Sequence, residues 1–249
     1  MSLSASQPTG IGVLDKPVTA EEKAAFVRGM FDDIAHRYDL LNAVLSVGIH
    51  KHWRGFATRC ACLEAGDSAL DVCTGTGDWT VDLRRAVGPR GTVVGIDFSA
   101  SMLRHGAKKF AAAMAATAQA DATRLPFQSN TFDAATVGFG IRNVAEVERG
   151  VCEMARVVKP GGRVVILEFA EPNPGPFKSL YTLYSRFIMP RIGGAVSGRA
   201  DAYTYLPKSV TKFKTRAELT AIMQDAGLAE VRTVDLMFGL VCVHVGVKA

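Results

Sequence analysis

From Gly66 onward, short apolar runs alternate with longer stretches whose apolar residues recur at helical spacing. Residues 69–73, 91–96, 131–137 and 163–169 read as strands. Residues 80–87 read as a short helix, and Ser99 is a plausible N-cap for a second helix running to about residue 114. Apolar positions 144, 147, 151, 154 and 158 mark a third helix, stopped by Lys159-Pro160-Gly161-Gly162, which reads as a plain turn. Residues 216–226 form a last helix that ends at Gly227, and 231–236 with 240–247 suit a closing antiparallel pair. The Ala-rich run 111–118 reads as the end of a helix rather than a linker. This alternation predicts an α/β fold, doubly wound, with a mainly parallel sheet covered by helices on both faces.

Two segments depart from the alternation. Ahead of the first strand, Phe31, Ile34, Tyr38 and Leu41 repeat at helical spacing and predict one apolar stripe. A helix there suits a cover over the strand ends, where it would exclude water from a reactive ligand; packing against a sheet edge is the plainer alternative. The expected organisation is a flexible lead-in over 1–24 and a single domain over 25–249. Within that domain, 25–65 is the helical cap and 171–215 an insertion. This insertion carries seven Lys or Arg (178, 186, 191, 199, 208, 212 and 214) against Glu171 and Asp201. Its net charge of +5 equals that of the whole chain. It also carries seven aromatic residues, among them Tyr181, Tyr184, Tyr203 and Tyr205.

Composition narrows the setting. The chain has 249 residues, 48% of them hydrophobic, enough for a sizeable core. No apolar run approaches the roughly 18 to 20 residues that a membrane span needs, and the N-terminus does not read as a secretory signal. Five cysteines without CxxC spacing argue against a disulfide framework and for a reducing, cytoplasmic setting. His50 and His52 have HxH spacing, but no further ligand completes a set, so no metal is expected.

The candidate chemistry lies in LDVCTGTGDWT, residues 70–80. Asp71 sits in the first strand of the alternation, and Gly75-Thr76-Gly77 form the turn into the following helix. In open α/β sheets a ligand binds beyond the carboxyl ends of the strands. A dinucleotide fingerprint would need glycine at Thr80, and a phosphate-cradling loop would need Gly-Lys-Ser/Thr where Gly77-Asp78-Trp79 stands. The acids suit a cationic ligand, and S-adenosylmethionine, with a sulfonium, an ammonium and no phosphate, meets that description. Asp97 closes the second strand, where an acid takes ribose hydroxyls. A tight turn without a ligand, and a dinucleotide-binding dehydrogenase, are the competing readings. Trp79 reads as core rather than as a platform for the sulfonium.

Four blocks then carry a resemblance over about residues 25–247. They are FDDIAHRYDLLNAVLSVGIHKHWR (31–54), DVCTGTGD with GIDFSASML, LPFQSNTFDAATVGFGIRN with EMARVVKPGGRVVILEFAEP, and YTYLPKSV with the terminal GLVCVHVG. The chain resembles the ubiquinone/menaquinone biosynthesis C-methyltransferases, within the class I S-adenosylmethionine-dependent methyltransferases. The resemblance implies a seven-stranded sheet with a last antiparallel strand. It also implies cofactor positions: Gly75 and Thr76 in the turn, Asp97 at the ribose, Asp121 and Ala122 flanking the adenine, and Gly138 beside the methyl donor. Asp121 capping its own turn is the alternative. Many relatives have a hydroxyl residue where Gly138 stands.

The implied reaction is methylation of an unsubstituted ring carbon of a prenylated quinol. That carbon is a poor nucleophile until a neighbouring hydroxyl ionises, and a phenol of pKa about 10 is mostly protonated at neutral pH. Arg142 is the first choice for an acceptor-site role, as a cation that stabilises phenolate, with Asn143 at the second ring oxygen; the alternative makes Arg142 a structural ion-pair partner for a helix end. His50, Tyr203 and Asp39 are weaker candidates for a base. The DWT after the glycine turn resembles menaquinone-making members of the family more than ubiquinone-making ones, which implies a demethylmenaquinol rather than a benzoquinol acceptor. The expected partners are the quinol, an anionic membrane surface on the cytoplasmic side and a second copy of the chain. Nucleic acid is not expected, and a non-catalytic subunit of a quinone-making assembly is the remaining alternative.

Overall fold

The computed structural model describes residues 19–188, 191 and 208–249. Much of the 1–24 lead-in, and Arg199, Asp201, Tyr203 and Tyr205 of the basic segment, lie outside the described residues. Seven strands form one sheet: β1 (Ser68–Val72), β2 (Thr92–Asp97), β3 (Ala116–Gln119), β4 (Phe132–Gly138), β5 (Val158–Phe169), β6 (Leu228–Leu236) and β7 (Val241–Lys248). Their order is β3-β2-β1-β4-β5-β7-β6. Strands β1 to β5 run parallel, with Leu70 opposite both Val94 and Ala135, and β7 inserts antiparallel to β5 and β6. The chain reverses its direction of winding between β1 and β4, and this switch opens a crevice at the carboxyl ends of those strands.

Side-chain alternation along the strands divides the interior into two cores. Leu70, Val72 and Val137 meet Val151 and Met154 of α6 (Val147–Val157), and Leu219 and Met223 of α8 (Arg216–Asp225). On the other face Ala69, Val93 and Val165 meet Trp79 and Leu83 of α4 (Asp78–Val87) and Trp53 of α3 (His50–Cys60). Each fully buried large aliphatic contributes about 1.5–3 kcal/mol. The helix α5 (Ala100–Ala112) begins at Ser99, whose hydroxyl accepts from the Met102 amide as expected.

The N-terminal stripe is broken rather than continuous. Helix α1 (Ala20–Ile34) is followed by a tight turn at Ala35–Arg37 and by α2 (Tyr38–Leu45). Phe31 and Ile34 thus lie on one helix and Tyr38 and Leu41 on the next, yet all four line the same cavity. A capping box between Thr19 and Glu22 starts α1 at Ala20, inside the stretch expected to be a flexible lead-in. Lys159 to Gly162 stay within β5 as a bulge, because Val158 pairs with Phe132 and Arg163 with Ala134. The elements not anticipated are β3, an edge strand of small and polar residues with little burial, and α7 (Pro176–Leu183), whereas α3 falls within the helical cap expected over 25–65.

Candidate active site

The glycine turn is built on Asp71. This carboxylate, buried at the end of β1, accepts hydrogen bonds from Thr74 Oγ1 and Thr80 Oγ1, both at 2.7 Å. The two hydroxyls tie the start of the turn to the first turn of α4. Gly77 needs its missing side chain, since φ is +86° and a Cβ would lie 2.4 Å from the Phe110 ring. On the neighbouring strand β2, Asp97 accepts from the backbone N–H groups of Gly75 and Ser99, each at 2.9 Å. Burial pushes both carboxyls up to about 6, Asp71 and Asp97 alike, against the opposing pull of those hydrogen bonds.

Beyond the strand ends lie two adjoining chambers. The smaller, of about 80 Å³, is lined by Asp97, Asp121, Ala122 and Asn143, with Ile96, Phe98 and Met102 supplying apolar walls. The larger, of about 510 Å³, is lined by Thr76, Arg142, His50, Tyr38, Phe169 and apolar residues of the cap and α7. Gly75 and Gly138 line both, so they mark the junction. A Cβ on Gly138 would stand 2.7 Å from Trp79 Cε3. The indole is buried and anchored through its N–H to Thr58 Oγ1 at 2.9 Å. A hydroxyl residue in place of Gly138 therefore has no room in this chain.

The cap is fastened over the crevice by polar contacts. Lys23 Nζ on α1 donates to the carbonyls of Val144 (2.8 Å) and Arg142 (3.3 Å). Ser99 Oγ donates to Asp32, and Thr76 Oγ1 donates to Asp39. Lys109 joins Asp39 at 2.5 Å and Asp78 at 2.6 Å, and Arg54 adds a second cation 3.3 Å from Asp78. The acid that follows the glycines is thus already neutralised, so it is not the exposed negative field that the turn's sequence suggested.

A model of the ubiE/COQ5 methyltransferase family matches residues 17–248. The chain is 41% identical over 235 residues to the ubiquinone/menaquinone biosynthesis C-methyltransferase UbiE of Citrobacter koseri, covering 93% of this chain and 94% of that one. The same figures hold for the enzyme of that name from Salmonella newport. It belongs to the ubiE/COQ5 methyltransferase family. Among solved structures, it is similar to a possible histamine N-methyltransferase from Thermotoga maritima described as SAM-dependent (TM-score 0.63, 19% identity, 90% of this chain and all of that one). It is also similar to a SAM-dependent methyltransferase from Aquifex aeolicus (TM-score 0.55, 20% identity, 75% of this chain and 85% of that one). The seven-stranded class I fold and S-adenosylmethionine as methyl donor follow with the family.

The polar lining of the smaller chamber matches the hydrogen-bonding groups of the donor's nucleoside. Ribose hydroxyls and an adenine amino group are hydrogen-bond donors, and the chamber offers them the carboxylates of Asp97 and Asp121. Asp121 does cap its own turn as well, accepting from Thr123 N at 2.8 Å and from Thr123 Oγ1 at 2.9 Å.

On the acceptor side, the two residues expected at the quinol are separated. Arg142 lines the larger chamber, whereas Asn143 lines the smaller one beside Asp97. Adjacent positions in the short 3-10 turn Ile141–Asn143 point their side chains different ways, which the sequence spacing conceals. Arg142 is buried and ion-paired, but not to a helix end. Its Nη1 donates to Glu168 Oε1 (2.5 Å) and to the Phe139 carbonyl (2.6 Å), and its guanidinium stands over the Phe169 ring at 5.6 Å. Burial holds the Glu168 carboxyl above its ordinary range even beside this cation. Glu168 was missed in the sequence; an acid ending the apolar run VVILEF was the available signal. Asp39, a candidate base, is occupied by Thr76 and Lys109. His50 and His52 both lie on α3, where positions two apart face different directions.

Proposed function

We propose that this chain transfers a methyl group from S-adenosylmethionine to a ring carbon of a prenylated quinol, with a demethylmenaquinol as its acceptor. The observation that carries this reading is the larger chamber: about 510 Å³, walled by Phe31, Trp53, Phe169 and Phe177, and joined to the nucleoside chamber at Gly138. Its apolar lining continues onto the exposed side chains of Leu180, Leu183 and Ile188, which suit a prenyl tail leaving the ring site.

Bound at the turn, S-adenosylmethionine supplies a methyl group on a positively charged sulfur. Gly75, Thr76 and Gly138 hold that end, Asp97 takes the ribose, and Asp121 and Ala122 flank the adenine. Asn143 borders the nucleoside. Arg142 stabilises the negative charge that develops on the ring oxygen, at a guanidinium that Glu168 and the Phe139 carbonyl keep fixed, so little reorganisation accompanies reaction. The cap over the strand ends shields the junction from water.

Among the described residues no helix is long and apolar enough to cross a membrane. Delivery of a lipid-soluble acceptor then calls for peripheral contact, on the cytoplasmic face. The exposed apolar side chains on and after α7, flanked by Arg186 and Arg191, support such contact, each well-placed cation adding about 1 kcal/mol at an anionic surface. The test is transfer of labelled methyl to matched demethylmenaquinol and demethylated benzoquinol, both with short tails. Label on the naphthoquinol at a much higher kcat/KM is the expected result; preference for the benzoquinol overturns the acceptor assignment.

A further inference from the structure

We infer that His50, held by Ser46 as the Nδ1–H tautomer, is the general base that takes the ring-hydroxyl proton of the acceptor. This inference rests on the quinol reading above and adds the proton acceptor that reading lacks.

The assignment comes from counting protons. Ser46 Oγ lies 2.6 Å from the Asn42 carbonyl oxygen and 2.6 Å from His50 Nδ1. A hydroxyl has one proton to give. If it went to Nδ1, two oxygen lone pairs would face each other at 2.6 Å. Given to Asn42, it leaves the Ser46 oxygen to accept, so Nδ1 must carry the hydrogen and the neutral ring's free lone pair is on Nε2. Nε2 has no hydrogen-bond partner among the described residues, and His50 lines the larger chamber and not the smaller. Ser46 ends α2 and His50 begins α3, so the pair spans the corner of the cap that roofs the acceptor side.

Other ionisable groups in the chamber are spoken for. Arg142 is a donor only. Asp71 holds two threonine hydroxyls, and Asp78 is paired with Lys109 and Arg54. Burial pushes Tyr181 up to about 12, Cys73 well above its ordinary value, and Tyr38 and Tyr184 above theirs, with Tyr184 donating to the Leu45 carbonyl. The groups that face His50 are Lys51 and Arg54 on its own helix, Asp78 on α4 and Asp39 on α2. Burial and then Arg54 lower its pKa, more than the acids raise it, so it is neutral at pH 7 and able to accept.

In the step, Nε2 gains the hydroxyl proton while the oxygen's electron pair, delocalised to the ring carbon, forms the carbon–methyl bond. The bond to sulfur breaks with its pair left on sulfur. The ring carbon's proton then leaves to water and restores aromaticity, and the imidazolium returns its proton to the oxygen. One proton is released per methyl transferred.

The test combines a spectrum and kinetics on the full chain. In ¹⁵N-histidine-labelled wild-type protein without ligands, long-range ¹H–¹⁵N correlations should show His50 as Nδ1–H with a bare Nε2. The signal should titrate below the ordinary imidazole pKa of about 6.5. Single substitutions of the other four histidines assign it, even if His50→Gln does not fold. An Nε2–H tautomer, or a ring still charged at pH 7, overturns the inference. With whichever quinol the wild type methylates, His50→Gln should lower kcat by about 10²–10⁴-fold, the range for a lost general base, with donor Kd unchanged. Ser46→Ala should lower kcat less and shift the tautomer. A kcat for His50→Gln within threefold of wild type overturns the role. Wild-type protein that methylates no quinol would defeat the function instead, leaving the tautomer measurement to stand or fall by itself.

Discussion

If Asp97 takes the donor's ribose as proposed, donor binding should depend on pH in a direction set by its buried carboxyl. Its carboxyl stands at about 6 because burial outweighs the two backbone N–H bonds it accepts. Against an ordinary value of about 3.9, at about 1.4 kcal/mol per unit, the buried charge costs the folded protein about 3 kcal/mol at neutral pH. Between pH 4 and 6 the folded state holds a proton that the unfolded state has lost. Stability of the ligand-free protein therefore falls as pH rises through that window, and Asp71 adds to the same trend. A ribose diol that donates to Asp97 needs the charged form. At pH 5 only about a tenth of the protein is ionised at this position, so donor affinity should weaken about tenfold from pH 7 to pH 5. Calorimetric titration with S-adenosylhomocysteine, in buffers of different ionisation enthalpy, should find close to one proton released on binding at pH 5. Asp97→Asn should bind more weakly and lose most of that release, since Asn offers one acceptor oxygen to two N–H groups, at about 1–3 kcal/mol for the orphan. Asp71→Asn separates the contribution of the neighbouring carboxyl. Unchanged proton release in Asp97→Asn refutes the assignment of the ribose to this residue.

Arg142→Ala leaves Glu168 buried without its cation and should cost about 3–5 kcal/mol in denaturant melts. Arg142→Met with Glu168→Gln removes both charges and should recover much of that stability but not turnover; recovered turnover would take Arg142 out of the acceptor site. Gly138→Ala drives a Cβ to within 2.7 Å of Trp79 and should cost about 1–3 kcal/mol by overpacking. Trp79→Leu should relieve part of that cost, so a double-mutant cycle of thermal stability should show coupling rather than additivity.

Much of the framework was legible because its signals are local. The apolar runs of β1, β4 and β5, the Ser99 cap and the glycines at 75 and 77 each declare themselves within a few residues, since strand burial, capping and positive φ are properties of short segments. The weakly patterned pieces were not. The strand β3 reads ATAQ, mostly exposed, and exists because Val94 to Asp97 of β2 offer it a hydrogen-bonding edge. The α3 sequence, HKHWRGFATRC, falls within the expected cap but carries too few apolar residues to show its buried face.

The sequence by itself determined the alternation of strands and helices around β1, β2, β4 and β5, the glycine turn that lacks a dinucleotide or phosphate-loop signature, and the acids near the ends of β1 and β2. Only the tertiary structure decided which charges remain available. Lys109 and Arg54 silence Asp78, Glu168 claims Arg142, and Ser46 selects a tautomer of His50. Spacing along a chain constrains backbone conformation. The state of a buried ionisable group depends instead on partners up to tens of residues away, brought within about 3 Å by folding and shielded there from the water that would otherwise make their separate identities irrelevant.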